Sequence, residues 1–228
     1  MKIGIIGSGM VGRAFSIRLA ELGHDVLIGT RNPIITLGRE EPDSKGIPAW
    51  KFWSLHNPEI KLATFQEVAD FGDVIINATA GAISIEALSK IEKDSLKDKV
   101  ILDLALPLSY SPERSPKLIY SNEDSLGEKI QRAFPESKVV KTLNTMSYKV
   151  MLYPSLLPRQ HNAFISGDSE EAKLIIAKIM EGFGWESKDI IDLGGIITAR
   201  TTEMYAPLLF QLSKIKGHYN INISVVSK

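Results

Sequence analysis

Apolar positions along this chain recur with two periods, and each change of period marks an element. Ile3-Gly4-Ile5-Ile6 is a short apolar run, the pattern of a strand buried on both faces. Val11, Phe15, Leu19 and Leu22 then recur at helical spacing, and Gly23 stands where a C-cap glycine belongs. His24-Asp25-Val26-Leu27-Ile28 reads as a second strand. Thr64-Phe65-Gln66-Glu67 has the form of a capping box opening a short helix. The stretch 73–78 reads as a buried strand, and Ala80-Gly81-Ala82 turns into a helix running through Leu88 and Ile91. Val100-Ile101-Leu102-Asp103 is a further strand, ending at Leu106-Pro107.

The second half continues the alternation. Ser125-Leu126-Gly127-Glu128 predicts a capping box for a helix to Phe134, and strands follow at 138–143 and 161–166. The spacing predicts a helix from Ser169 to Gly182, a last strand at 190–193, and a C-terminal helix at about 199–216 striped by Met204, Leu208, Leu212 and Ile215. Strands separated by helices predict an α/β fold: a Rossmann-type, doubly wound, mainly parallel sheet with a C-terminal helical segment closing over the site. The whole of 1–228 reads as a single dinucleotide-binding domain. Only about 33–63, with four prolines and Trp50, Phe52 and Trp53, breaks the pattern; it reads as a loop-rich insertion with one short helix, its aromatics covering a core edge.

The first strand-to-helix turn carries the most chemistry. Gly7-Ser8-Gly9-Met10-Val11-Gly12 permits a tight turn with backbone N–H groups close to a pyrophosphate at the start of a helix. An NAD-selective site places an acid about 20 residues further on, against the ribose 2′-hydroxyl. This chain has Gly29-Thr30-Arg31-Asn32 there, with no acid until Glu40. A hydroxyl, a guanidinium and an amide in series suit a 2′-phosphate, so the cofactor reads as NADP. Ala78, Thr79, Ala80, Ala105 and Pro107 end strands on the ligand side and are small enough to line a slot; they read equally as ordinary strand-ending turns.

Composition narrows the classes further. With 27 basic and 27 acidic residues, no net field points to nucleic acid or an anionic membrane. The absence of cysteine removes disulfides, thiolate catalysis and thiolate metal sites, and the four histidines lack ligand spacing, so no metal is expected. No apolar run approaches the ~18 residues of a membrane span. A cytoplasmic enzyme with a small-molecule partner is the expectation, with a homodimer left open.

Lys141-Thr142-Leu143-Asn144-Thr145-Met146 and Asp192-Leu193-Gly194-Gly195, with Arg200, Glu203 and Pro207-Leu208, are more specific than the glycine turn. Together with that turn and Thr30-Arg31 they resemble the NADP oxidoreductases that use an 8-hydroxy-5-deazaflavin coenzyme. The cytoplasmic domain of membrane ferric reductases is similar in several of the same motifs. The resemblance implies the fold, NADP, and a nicotinamide lying at Asn144, Thr145 and Met146, with the C-terminal signature closing over the site. Deazaflavin-using members often carry His at the position of Asn144, and the 33–63 stretch resembles a longer bacterial subgroup. The acceptor therefore stays open among a deazaflavin, a flavin and a similar ring.

Hydride transfer between two rings needs positioning more than acid–base help, and no catalytic side chain is expected. Asn144 could hydrogen-bond a carboxamide or cap a turn. Arg200 could reach an acceptor phosphate or pair with Glu203. Two other readings remain: a reductase of a small carbonyl or imine, with Lys141, Tyr148 or Lys149 as proton donor, and a non-catalytic NADP-binding module.

Overall fold

The computed structural model describes residues 1–43, 46–111 and 114–228. The Ile3–Ile6 run forms β1 (Lys2–Ile6), and the glycine turn delivers the chain into α1 (Met10–Glu21). Phe15 and Leu19 are fully buried, and Gly23, at φ 80, carries the chain past the helix end into β2 (Asp25–Thr30). The expected insertion contains two short helices rather than one, α2 (Pro33–Gly38) and α3 (Trp50–Ser54). It also runs into an edge strand, β3 (Lys61–Thr64), which is too short and too polar to register as a strand by periodicity. Residues 44 and 45 of that stretch lie outside the described residues.

The Thr64 capping box is complete: its hydroxyl accepts from the Glu67 N–H and the Glu67 carboxylate accepts from the Thr64 N–H at the start of α4 (Phe65–Phe71). Then come β4 (Val74–Asn77), a 3₁₀ turn with α5 (Ser84–Leu88), α6 (Lys93–Leu96) and β5 (Val100–Asp103). A two-stranded antiparallel hairpin that the apolar pattern did not predict follows, β6 (Leu108–Ser111) and β7 (Arg114–Leu118). The remaining elements are α7 (Leu126–Ala133), β8 (Lys138–Thr142), α8 (Tyr148–Leu152), β9 (Ala163–Ser166), α9 (Glu170–Phe183), β10 (Ile190–Asp192), α10 (Ala199–Met204) and α11 (Ala206–Lys216).

Eight strands form one sheet in the order β10-β9-β8-β5-β4-β1-β2-β3. All pairs are parallel except β8 with β9. Successive residues go to opposite faces. Ile76, Leu102 and Val140 join Phe15, Ile176 and Phe183 on one side, while Ile75, Ile101 and Val139 join Val68, Leu96 and Ile130 on the other. Helices cover both faces, which is why these strands read as continuous apolar runs. The architecture is the doubly wound Rossmann type, with the chain reversing its direction of travel across the sheet between β1 and β4.

The C-terminal prediction needs correction. The single helix at 199–216 is two, because Pro207 has no N–H for the helix ladder and the chain breaks at Tyr205. The stripe of Met204, Leu208, Leu212 and Ile215 is not the packed face: Leu208 and Ile215 are exposed, while Ala206, Leu209 and Ser213 are buried.

Candidate functional site

At the reversal between β1 and β4, beyond the carboxyl ends of the strands, lies a cleft of about 610 Å³. Gly7, Ser8, Gly9, Met10 and Val11 form its floor, and Thr30, Arg31 and Asn32 its wall after β2. Ala78, Thr79 and Ala80 close it after β4, with Ile83 and Glu86 from the next turn and helix. An open α/β sheet has its ligand crevice in this position.

The glycines divide into two kinds. Gly7 takes φ 118, and a Cβ there would stand 2.8 Å from the Ala78 carbonyl oxygen. A Cβ on Gly12 would stand 1.9 Å from the carbonyl oxygen of Gly7, so Gly12 lets α1 pack on its own turn and does not line the cleft. Gly9 is different. A Cβ there would meet nothing within 4 Å in the chain, and it would point into space a ligand can use.

The insertion contributes a wall that its sequence did not reveal. Ile35, Thr36, Arg39, Asp43 and Ile47 all line the cleft. Thr30 and Thr36 share a hydrogen bond between hydroxyls at 2.9 Å. Asn32 accepts from the Ile35 N–H at 3.1 Å and so caps α2 with its side-chain oxygen. Arg31 and Arg39 are both exposed at the cleft surface.

Arg13 was also missed. It donates to the carbonyl of Ser8 at 2.9 Å and to that of Pro48 at 2.7 Å, lying over the rings of Trp50 and Trp53. It thus clamps the insertion to the phosphate-type turn. Burial pulls its guanidinium below its ordinary value, opposed by Asp43 and reinforced by Arg39. The signal available in the sequence was a charge one residue after Gly12, on a buried helix face, with two tryptophans for it to stack on. Trp50 is buried and Trp53 packs against the same core, as expected of a core edge, but Phe52 is exposed.

Ala105, Pro107, Asn144, Thr145 and Met146 do not line the cleft. Met146 belongs to the hydrophobic core beside Val140 and Val150, and Ala105 is buried. Asn144 and Thr145 lie beyond the carboxyl end of β8, at the same end of the sheet as the cleft. The chain reaches them through Leu143 at φ 62, a left-handed conformation that a leucine adopts only under constraint. Both side chains are almost fully buried, and Asn144 Nδ2, Asn144 Oδ1 and Thr145 Oγ1 have no hydrogen-bond partner among the described residues. Such atoms are costly unless a partner satisfies them.

Between these residues and the cleft runs a buried ionic network. Lys141 Nζ contacts Asp103 Oδ2 at 2.6 Å and Glu203 Oε1 at 2.8 Å, with all three side chains sealed from solvent. Glu203 also accepts from the N–H groups of Leu126 and Gly127 at the start of α7. Burial alone would push the Lys141 ammonium down; the two carboxylates more than reverse this and hold it above its ordinary value. Lys141 is thus sealed from solvent against two carboxylates and does not line the cleft. Tyr148 and Lys149, the other candidate donors, are also absent from the cleft lining.

Arg200 neither pairs with Glu203 nor reaches the cleft. It holds Glu128 through two bonds of 2.7 and 2.6 Å, and Glu128 in turn accepts from the Ser125 hydroxyl instead of closing the predicted capping box on the backbone. The Asp192–Gly195 motif follows β10 at the sheet edge remote from the cleft and does not line it. Because β9 and β10 run against β8, their ends turn back: Gly167 bonds Gly194, and Gly167 lies against the carbonyl of Val139. Asp192 there accepts from Lys173 and from the Gly194 N–H. No residue of 192–216 lines the cleft; α10 packs instead on β8 and the start of α7, with Glu203 on Lys141. Among the described residues no three His, Asp or Glu side chains could hold a metal ion, and no helix is long and apolar enough to cross a membrane.

Comparison with known proteins gives a consistent family. The model of the family described as "NADP oxidoreductase coenzyme F420-dependent" matches residues 2–107. A crystal structure from Arthrobacter sp. FB24, provisionally named an F420-dependent NADP reductase, is 42% identical, covers 100% of both chains and superposes with a TM-score of 0.94. An F420-dependent NADP reductase of Methanocaldococcus jannaschii is 25% identical across 95% of this chain and 96% of that protein. Metalloreductase STEAP3 of Rattus norvegicus is 27% identical over 89% of this chain but only 36% of its own length, so this chain spans about a third of that protein.

Proposed function

The chain belongs to the family of coenzyme F420-dependent NADP oxidoreductases, and from that premise we propose that its cleft holds NADP(H) for hydride exchange with a deazaflavin or flavin-like ring. The protein is an NADP-dependent oxidoreductase; the identity of the ring is the finer part of the reading. The observation that carries it is the Gly9 cradle facing Thr30 and Arg31 across one cleft.

The residues fit the cofactor. Helix α1 starts at Met10, its first N–H groups have no carbonyl partner within the helix, and the space beside Gly9 is open, which suits a pyrophosphate. Arg31, with Thr30 and the added Arg39, supplies the cations for a 2′-phosphate where an NAD site would place an acid. The unpartnered polar atoms of Asn144 and Thr145 suit the polar edge of a nicotinamide or of its redox partner. When bound, NADP supplies a ring carbon that gives or takes a hydride. The chain's own work is to orient that ring and keep water away, through Ala78, Ala80 and Ile83.

The carbonyl or imine reductase reading asks for a proton donor. Its best candidate, Lys141, is sealed behind Asp103 and Glu203. The test is NADPH oxidation with an 8-hydroxy-5-deazaflavin, with FMN, and with a panel of small aldehydes, ketones and imines. Turnover with the deazaflavin or the flavin is expected. Turnover confined to carbonyls or imines would overturn the hydride-to-ring reading, and NADPH binding without turnover on any acceptor would favour a binding module.

A further inference from the structure

Thr79 is the polar group that the end of β4 presents to the cleft, and its hydroxyl is not free to turn. Its Oγ1 lies 2.7 Å from Asn77 Oδ1 and 2.7 Å from Ser84 Oγ. Which way that proton points depends on the orientation of the Asn77 amide, and this is fixed from behind. Asp103 accepts from Lys141 on Oδ2 and from the Ala105 N–H on Oδ1, so it is a carboxylate. A carboxylate only accepts, and Asn77 must therefore show it Nδ2, at 2.8 Å. Asn77 Oδ1 then faces Thr79, where the backbone N–H of Thr79 also donates to it at 3.3 Å. Two independent neighbours thus assign the same amide orientation.

The consequence reaches the cleft. Thr79 has one hydroxyl proton, and it is spent on Asn77 Oδ1. In the 2.7 Å bond between Thr79 and Ser84, Ser84 is then the donor, its proton going to Thr79 rather than to the Ala80 carbonyl 3.4 Å away. What Thr79 has left is one lone pair. We propose that Thr79 meets the ligand as a hydrogen-bond acceptor only, and that Asn77 and Asp103, held by Lys141, are positioning residues that set this polarity from outside the cleft. The matching ligand group is a donor: a hydroxyl or amide N–H, of the kind a nicotinamide nucleotide carries on its ribose and its carboxamide. The inference rests on the cleft being the dinucleotide site.

The test measures NADPH affinity by fluorescence for the full chain and three variants between pH 6 and 9. Thr79→Val keeps the shape and removes the acceptor; affinity should fall about three- to tenfold. Thr79→Ser should stay within about twofold of the wild type, since it keeps the hydroxyl. Asn77→Asp reads the relay itself. A protonated Asp mimics the amide, donating to Asp103 and accepting from Thr79, whereas an ionised one faces Asp103 with like charge. The ratio of its affinity to that of the wild type should therefore decline as pH rises, which simple loss of stability at position 77 would not produce. Wild-type protein that fails to bind NADPH would overturn the cleft assignment. Normal wild-type binding with Thr79→Val unchanged would overturn the acceptor role alone, and a pH-independent ratio for Asn77→Asp would overturn the relay.

Discussion

Arg31 and the cleft glycines act as single residues, and each has a separable signature. A charged, directional contact from Arg31 to a phosphate should be worth about tenfold to a hundredfold in affinity. Arg31→Ala should weaken NADPH by that factor and leave NADH nearly unchanged, as read by calorimetry; equal wild-type affinity for both cofactors would contradict the assignment. The glycines of the turn divide by what a Cβ would meet. Gly9→Ala should weaken both dinucleotides by similar factors while moving Tm little, because the chain leaves that direction open. Gly12→Ala should instead lower Tm, since its Cβ would collide with the Gly7 carbonyl. The glycine spacing was legible in the sequence; this division of labour was not, because it depends on which backbone lies opposite each position.

At the scale of elements, the join between α7 and α10 depends on the Glu128–Arg200 pair. Burial pushes the Glu128 carboxyl up, but the bonds from Arg200 and Ser125 outweigh it and hold it below its ordinary value near 4.5. A carboxyl held low when folded contributes its stability above its unfolded pKa and loses it as pH falls through the folded one. Glu128→Gln should therefore lower Tm at pH 7, and the gap to the wild type should close as pH drops below about 4.5; a constant gap would mean the pair does not bear on stability. The sequence predicted α7 and a single helix over the α10 region, and it left Arg200 open between an acceptor phosphate and Glu203; Ser125 does cap α7 by accepting from the Glu128 N–H, but the Glu128 carboxylate goes to Arg200 rather than back to the backbone. A helix end can be read from a few residues, whereas the partner of a charge 72 residues away depends on how two helices pack. The same limit hid the functional side of the insertion. Trp50 and Trp53 read correctly as a core edge, but only the clamp by Arg13 shows that they tie the insertion, whose Thr36 and Arg39 line the cleft, to the glycine turn.

The whole molecule converges on Lys141, which ties β5, β8, α7 and α10 through Asp103 and Glu203. Removing one member of a buried ion network leaves the others uncompensated, at a cost of about 3–5 kcal/mol. Lys141→Met should accordingly lower Tm by roughly 10 °C, while the pH dependence of turnover in the folded fraction keeps its wild-type shape. A lost limb of that profile with Tm intact would mean that Lys141 is a proton donor after all. What the sequence determined by itself is local: strand runs, helix faces, caps, the glycine turn and the absence of an acid after β2, each set by neighbours within a few residues. Those signals are enough for a doubly wound sheet, for a cleft over the glycine turn at its carboxyl edge and for the family. The tertiary structure decided everything that depends on the meeting of distant segments. The sheet order put β10, and with it Asp192–Gly195, at the edge remote from the cleft, and β9 runs against β8; neither is legible because an apolar strand has the same pattern in any position and direction. The same packing buried Lys141 and Met146, since two-sided burial of a strand end depends on the helices that close over it, and no residue beside them in the chain records which those will be.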